Sequence, residues 1–500
     1  MSIASRSKLT FLEAVSQLAY CNPFSSERIR LERIVLGERF REGEPAWSLS
    51  VDDPAGPLKN GERIARQVAE LLPGLRERTR TGNANSRAVY EGAVLYYLYY
   101  SYSRKIYRDP EELESGHDPR ADGHSYEAYV GEWNHYFSGS IAPTDSAAHV
   151  FAIFYQMRRA FFAIYRNIVG ESPSAARLRE TIWQSIFTHD MRRYRQGLFR
   201  RMGDFSTLIT GPSGTGKEFV VRAIAYSRYI PFQPRTLTFQ VHPEEGFYAV
   251  NLAALSPSLI ESELFGHRRG AFTGAATDRK GWLEVCPSHG TVFLDEIGDL
   301  EPTLQVKLLR VIQTRRFQRV GETESREFHG KIIAATNRNL GDAIRQGEFR
   351  EDFYYRICSD LVETVPLAEQ LAENPEILRQ LVRFLSKRVA PEAFEEIALE
   401  AEAWIKGNLG VAYSWPGNYR ELEQCIRNIL LRGRYQPVAT AAADTFVDRL
   451  RSGKLEAEEL LNEYCGIVYS QTGSYAETAR RLKLDQRTVK AKVSNARGLT

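Results

Sequence analysis

Residues 208–225 read LITGPSGTGKEFVVRAIA, and the reading of this stretch decides the fold. An apolar run ending at Thr210 enters Gly211, Pro212, Ser213, Gly214, Thr215, Gly216 and Lys217, and apolar residues at helical spacing follow. Glycines between a strand and a helix let successive amides wrap an anion, while the start of the helix adds positive potential. The lysine that closes the loop reaches the outer phosphate oxygens of a nucleotide. With strand, lysine and helix all in order, this is a P-loop and not a chance glycine-rich turn. Glu218 departs from the general pattern, which puts a Ser or Thr hydroxyl there for Mg2+. Metal binding must then lean on another carboxylate and on water.

That carboxylate stands in GTVFLDEIGDL, residues 290–300, where Val292, Phe293 and Leu294 lead to Asp295 and Glu296. Ligands of open parallel sheets bind beyond the carboxyl ends of the strands. Asp295 suits a Mg2+ shell, and Glu296 is placed to orient or deprotonate an attacking water. A further strand, KIIAATNRNL (331–340), ends in Thr336 and Asn337, polar groups able to sense a γ-phosphate. In FREDFYYRICSD (349–360), Arg350 and Arg356 stand six residues apart. Arginines beyond the last strands often act from a neighbouring subunit on the transferred phosphate. Surface ion pairs with Glu351 and Asp352 are the plainer alternative.

Between Ile168 and about residue 434, short β-rich runs alternate with helical ones, the mark of a parallel α/β sheet. Upstream, SERIRLERIVLGERF, GERIARQVAELLPGL, AVYEGAVLYYLYYSY and HVFAIFYQMRRAFFAIYRNI carry apolar residues at three- and four-residue spacing, so residues 1–165 are expected to be mostly helical. The segment RGRYQPVATAAADT reads as a linker before a return to helix.

Five hundred residues suffice for two to four units, each with its own core. The 66 Lys and Arg against 63 Asp and Glu nominate no partner by net charge, so any nucleic-acid surface must be local. Cys21, Cys286, Cys358, Cys425 and Cys465 are scattered without CxxC spacing, which favours a reducing compartment over a disulfide framework or a zinc site. The start MSIASRSKLTFLEAV lacks the apolar core of a signal peptide. The longest uncharged apolar run, residues 92–103, is well short of the ~20 residues a spanning helix needs. A cytoplasmic protein with no membrane partner is expected.

A second stretch, RRGAFTGAATDRKG (268–281), sets the large apolar Phe272 between Gly270 and Gly274. Either a buried turn needs that shape, or the ring is displayed for a partner. Together GPSGTGKE, ESELFGHRRGAFTGA, GTVFLDEI, LQVKLLRVIQ, FQRVG, IIAATNR, FREDFYYR and WPGNYREL resemble, in order, the motifs of the bacterial enhancer-binding proteins. These are the NtrC-like AAA+ activators that work with sigma-54 RNA polymerase, and the resemblance covers about residues 168–433.

The resemblance implies an α/β AAA+ P-loop ATPase core with a helical lid, a mostly helical amino-terminal domain and a carboxy-terminal helix-turn-helix. It divides the chain into residues 1–165 (regulatory), 168–365 (AAA+ α/β), 366–433 (lid), 434–447 (linker) and 448–500 (Fis-type DNA-binding domain). ATP and Mg2+ are the implied cofactors. The family's P-loop also ends in Glu, which accounts for Glu218. Asn251 in YAVN matches the asparagine that restrains the catalytic glutamate, here Glu296. Arg350 and Arg356 match the arginine fingers, and Arg420 in WPGNYREL the sensor arginine of the lid. Gly270, Ala271, Phe272, Thr273, Gly274 and Ala275 match the loop that grips sigma-54, with Phe272 and Thr273 at its tip. The implied particle is a homo-oligomer, from dimer to hexameric ring, because each site borrows arginines across an interface.

Two departures concern length. RYIPFQPRTLTFQVHPEEGF (228–247) and the basic THDMRRYRQGLFRRMGDF (188–205) exceed the equivalent family segments, and both are expected to reach the amino-terminal region. Pro212 and Leu252 also differ from the usual residues without touching chemistry.

Residues 474–497, SYAETARRLKLDQRTVKAKVSNAR, read as helix, turn, helix. Ala476, Ala479 and Leu482 form one apolar stripe, Leu484 caps the turn, and Val489 and Val493 form the second. Gln486, Arg487, Thr488 and Lys490 begin a recognition helix on a cationic surface suited to double-stranded DNA. In the amino-terminal third, Asp52-Asp53 lacks the β/α rhythm of a receiver domain, and a solvated loop is the better reading. His117, His124, His135 and His149 lack i,i+4 pairing, so ordinary histidines are favoured over a metal sensor. Two readings compete with the activator: a DNA-binding regulator or repressor without sigma-54 remodelling, and a general AAA+ remodelling enzyme.

Overall fold

The apolar runs become five strands: β1 (Thr207–Thr210), β2 (Phe247–Asn251), β3 (Thr291–Asp295), β4 (Lys331–Thr336) and β5 (Asp360–Glu363). In this computed structural model they pair in the order β5-β1-β4-β3-β2, and every pairing is parallel. All six residues of β4 are buried, as is β3 up to Leu294. Helices cover both faces of such a sheet, so its central strands read as unbroken apolar sequence. Leu208, Val250, Leu294 and Ala334 of the sheet share one core with Leu264, Leu308 and Phe353 of the covering helices.

The described residues are 3–40, 59–80, 83–107, 123–141, 143, 145–242, 244–410, 413–437, 450, 453 and 455–497. They divide into two units, Met1–Arg434 and Tyr435–Thr500. Asp52, Asp53 and His117 lie outside the described residues, as does the expected linker beyond residue 437 and the side chains of His124 and Arg497. No helix among the described residues is long and apolar enough to cross a membrane.

In the first unit the amino-terminal third is helical, with helices Ile3–Leu18, Ser26–Leu36, Lys59–Arg80, Ala84–Ile106, Gly123–Tyr136 and Ala147–Asn167. Ser25 and Ser146 cap two of these, each side chain accepting from an amide three residues on. The tyrosine-rich helix Ala84–Ile106 buries Tyr90, Tyr96 and Tyr102. Helix Ala147–Asn167 is buried almost throughout, Arg158 and Arg159 included, and packs against helix Lys217–Ala225, which leaves the P-loop. Two further helices, Pro173–Phe187 and Met191–Gln196, precede β1.

Both long segments reach the amino-terminal region. Arg195 pairs with Glu91 and with Asp145 (3.1 Å). Phe232 and Phe239 form a two-stranded ribbon whose rings pack on Phe151, and Phe239 stacks on Tyr155 at 3.8 Å. His149 is a packed histidine, bonded to the Tyr229 hydroxyl and the Arg195 carbonyl at 2.8 Å each. No cluster of three or more His, Cys, Asp and Glu side chains among the described residues could hold a metal ion.

The lid follows β5 as helices Leu367–Glu373, Ile377–Val389, Phe394–Asn408 and Asn418–Arg432. Gly433, at φ 66°, ends the last of them in the left-handed conformation.

The second unit holds helices Ala457–Thr472, Tyr475–Leu482 and Gln486–Arg497 around Cys465, Ala479, Val489 and Val493. Leu482 and Leu484 pack on this core as the stripe requires, but Ala476 is exposed, and Tyr475 takes its place. Tyr475 stacks on Tyr469 at 4.3 Å, so the larger ring supplies the apolar contact that alanine cannot.

Candidate functional site

Register brings the polar ends of the strands to one edge. Thr210 lies opposite Thr336 on one side and Glu363 on the other, while Asp295 lies opposite Asn251. The P-loop leaves β1 at this edge, between β5 and β4, and Lys217 begins the following helix. The Lys217 ammonium donates to the Gly211 and Pro212 carbonyls at 2.8 and 3.0 Å, which holds it across the mouth of the loop. Burial lowers its pKa, against the pull of Glu296 and Asp295.

Thr364, just past β5, fixes the loop from beneath. Its hydroxyl meets Thr215 Oγ1 at 2.6 Å, and its amide donates to the Thr210 carbonyl at 2.8 Å. No motif flagged Thr364. Glu218 points outward to an ion pair with Arg222 at 2.7 Å, so it is not offered to a metal.

The lid sits directly on the P-loop. Arg420 donates to Ser213 Oγ (3.0 Å), Asn418 Nδ2 to the Ser213 carbonyl (2.9 Å) and the Tyr419 amide to the Gly214 carbonyl (3.0 Å). A Cβ on Gly214 would lie 2.2 Å from the Gly417 carbonyl oxygen, so only glycine permits this approach. Arg420 stood in a recognised motif, whereas Asn418 as a P-loop contact was not foreseen.

Asp295 is half-buried at the end of β3, and burial raises its pKa, with Lys217 opposing. One of its oxygens accepts the Glu296 amide (3.1 Å), and the Asn251 side-chain amide lies 3.5 Å from the other. The structure therefore pairs Asn251 with Asp295, whereas the resemblance implies that it restrains Glu296. The reason is geometric: Asn251 and Asp295 are register partners, while Glu296 sits at φ 55°, ψ 50° and turns away. Its carboxylate instead accepts the Asn337 amide at 3.3 Å. Asn337 thus meets the glutamate through its backbone, and Thr336 is buried, its hydroxyl accepting the Arg338 amide at 3.1 Å.

Arg350 caps the start of helix Glu351–Ile357 and Arg356 lies in its last turn, and both are exposed. Arg350 forms a two-pronged pair with Asp352 at 3.0 and 2.8 Å, as the plainer alternative held. Arg356 makes no side-chain hydrogen bond or ion pair among the described residues, and its carbonyl accepts Ser206 Oγ at 2.7 Å.

The Phe272 loop projects from a ribbon, Gly266–His267 paired with Arg279–Lys280. Gly270 and Gly274 have φ of 81° and 99° with open space where a Cβ would stand, so the backbone conformation and not packing selects glycine. The loop closes through Gly270 N to the Ala275 carbonyl at 2.9 Å and Ala275 N to the Phe272 carbonyl at 3.0 Å. Arg268 anchors its neck to Asp278 and to Glu322. Thr273 and Gly274 are exposed at the tip, while Phe272 is half-buried, edge-on to the His267 ring at 4.9 Å. His267 is itself buried and bonded to Ser262 Oγ at 2.7 Å. This histidine lay inside a quoted motif, but nothing in the sequence marked it as the ring's seat.

In the second unit Gln486, Arg487, Thr488 and Lys490 are all exposed on the last helix. Lys492 is engaged by Glu458 and Arg480 by Glu477, whereas Arg481, Lys483, Arg487 and Lys490 are exposed and form no ion pair among the described residues.

Residues 188–362 match the Sigma-54 interaction domain family. The chain is 37% identical over 308 residues to the transcriptional regulatory protein ZraR of Klebsiella oxytoca, covering 58% of this chain and 63% of that protein. It is 39% identical over 261 residues to the Nif-specific regulatory protein of Klebsiella pneumoniae, covering 52% of this chain and 43% of that protein. The chain thus spans less than two thirds of the length of these relatives. A crystal structure of NtrX from Brucella abortus in complex with ATP aligns at a TM-score of 0.39 and 26% identity, covering 71% of this chain and 77% of that one.

Proposed function

We propose, from the match of residues 188–362 to the Sigma-54 interaction domain, that this chain is a sigma-54-dependent AAA+ activator, an ATP-hydrolysing transcription activator. It acts in the cytoplasm, bound to double-stranded DNA upstream of its promoters, and remodels sigma-54 RNA polymerase. The observation that carries this reading is the Phe272 loop: an apolar ring on a glycine-hinged turn, resting half-buried on His267.

The residues at the strand edge suit a nucleotide and its metal. Lys217 and the P-loop amides would bind the β- and γ-phosphates, and Arg420 would close the lid over them. Asp295 would hold Mg2+, which when bound neutralises developing phosphate charge. Glu296 would align a water and take its proton, and the Asn337 amide ties that carboxylate to the end of β4. Asn251 restrains Asp295 directly and so acts on the glutamate through the Asp295–Glu296 link. Arg350 and Arg356 act in the site of a neighbouring subunit in a ring. The Arg350–Asp352 pair is exposed and screened by solvent, so exchanging that carboxylate for a phosphate costs little.

An edge-on aromatic contact is worth roughly 0.5–1.5 kcal/mol. Phe272 can therefore leave His267 at small cost once the loop lifts, and its apolar face then buries against sigma-54. In the second unit Gln486, Arg487, Thr488 and Lys490 read DNA, and helix Ala457–Thr472, with Tyr464 and Ile467 exposed, pairs two copies.

The test is Phe272→Ala in a purified sigma-54 system. ATP turnover should persist while open-promoter formation and capture of sigma-54 with a transition-state analogue are lost. Full activation by that variant would refute the proposal.

A further inference from the structure

The two segments that exceed the family's pattern meet around one cavity of about 350 Å3. Tyr194, Phe199 and Arg200 come from residues 188–205, and Arg228, Tyr229 and Gln240 from residues 228–247. Lys331, the first residue of β4, closes the floor, which puts the cavity at the opposite edge of the sheet from the P-loop.

The lining is electrically one-sided. It contains Arg200, Arg228, Lys331 and His289, and no carboxylate among the described residues. Lys331 is 2% exposed, and among the described residues its ammonium donates to the Phe205 carbonyl at 2.7 Å. Arg228 spends Nη2 on the Ser288 carbonyl at 3.0 Å, but its Nη1 is buried without a partner, as is His289 Nε2. Behind Arg228, the buried Arg159 adds a further cation and donates to the Arg228 carbonyl. Burial, reinforced by Arg228, drags the Lys331 pKa down to about 7, and burial brings Arg228 to about 10. Asp204 lies near Arg228 and Asp360 near Lys331, but neither forms an ion pair with these cations among the described residues, and idle donors add to the cost of burying the charge. Tyr194, Tyr229 and Gln156 supply neutral hydrogen-bonding groups around them, with Gln156 already tied to the Tyr194 hydroxyl and the Ser227 carbonyl.

We propose that this cavity is a binding site for a small organic polyanion, a phosphate ester or a di- or tricarboxylate, whose charge Arg200, Arg228 and Lys331 neutralise. The volume admits a molecule of metabolite size, and fixed cationic donors favour two or more oxyanion charges over one. The site has a route to the nucleotide edge. Ile224, Ser227 and Arg228 belong to the end of the P-loop helix and the turn after it, and β4 runs from Lys331 to Thr336. Occupancy at one end of these two elements bears on the geometry at the other.

The test is calorimetric titration of the full chain with citrate and with glucose 6-phosphate. It is run with saturating ADP and again in Lys217→Ala, so that the P-loop contributes nothing. At least one probe should bind, and Arg228→Gln and the rim variant Arg200→Gln should each weaken it by about tenfold or more, the loss of one charge-assisted hydrogen bond. Binding of glucose 6-phosphate alone assigns a phosphate ester, and binding of citrate alone a polycarboxylate. Arg200 is exposed, so its variant keeps the fold when the Arg228 change does not. Absence of heat with both probes at millimolar concentration, or unchanged affinity in Arg200→Gln and in a folded Arg228→Gln, overturns the site. Neither result depends on ATP turnover.

Discussion

Gly214→Ala puts the contact between lid and P-loop under a measurable load. The residue sits at φ 78°, where a side chain costs roughly 1–2 kcal/mol. The added methyl would lie 2.2 Å from the Gly417 carbonyl oxygen, a backbone atom that cannot rotate away. The lid must therefore retreat, and the Tyr419 amide loses the Gly214 carbonyl, a further ~0.5–1.5 kcal/mol. The sum, about 1.5–3.5 kcal/mol, corresponds to about tenfold to three-hundredfold weaker nucleotide binding. Ser213→Ala is the matched control, since it removes only the Arg420 bond to the hydroxyl and should cost about two- to twelvefold. Titration with a fluorescent ATP analogue measures both, with circular dichroism to establish that each variant is folded. If Gly214→Ala binds within threefold of the unaltered chain, the lid does not rest on the loop in the binding-competent state, and the reasoning fails.

Lys217→Ala should lose nucleotide binding, whereas Glu296→Gln should bind ATP without turning it over; sustained phosphate release by the second would mean that another group is the base. Lys217→Ala and Arg356→Ala should each be inactive alone yet recover turnover when mixed, because the mixture forms seams with an intact P-loop facing an intact arginine. Failure to recover in mixed assemblies argues against a shared site. Lys331 gives a pH signature: folded it holds its proton only to about pH 7, against 10.5 for the ordinary side chain. The unfolded chain then binds more protons between those values, so stability rises with pH by up to about 1.4 kcal/mol per unit. Denaturant melts from pH 7 to 9, in buffer free of polyanions, should display this slope and lose it in Lys331→Met; equal slopes would refute it.

The sheet was legible because parallel strands covered on both faces leave unbroken apolar runs such as Val292–Leu294 and Ile332–Ala335. The P-loop was legible because its glycines and lysine serve one local geometry. What the sequence concealed depends on long-range register and on φ. Asn251 faces Asp295 because β2 and β3 pair in that register, and Glu296 turns away because its backbone is left-handed. Thr364 and Asn418 hold the P-loop from positions about 150 and 205 residues away, a proximity that no local pattern announces. Ala476 failed as a core residue because periodicity marks a face without weighing side-chain size, and Tyr475 next to it reaches the core.

Helix Ala147–Asn167 makes the amino-terminal region something other than a module on a tether. Its buried flank is an inner wall of the body that carries the P-loop, shared with the helix that begins at Lys217. Cutting the chain after residue 165 would strip that wall away and uncover the apolar side chains packed on it, Phe232 and Phe239 among them, so a truncated protein is expected to aggregate rather than report freedom from control. An input received by the helices before it would travel as a shift of packing through this common partition, without any part of the protein being let go.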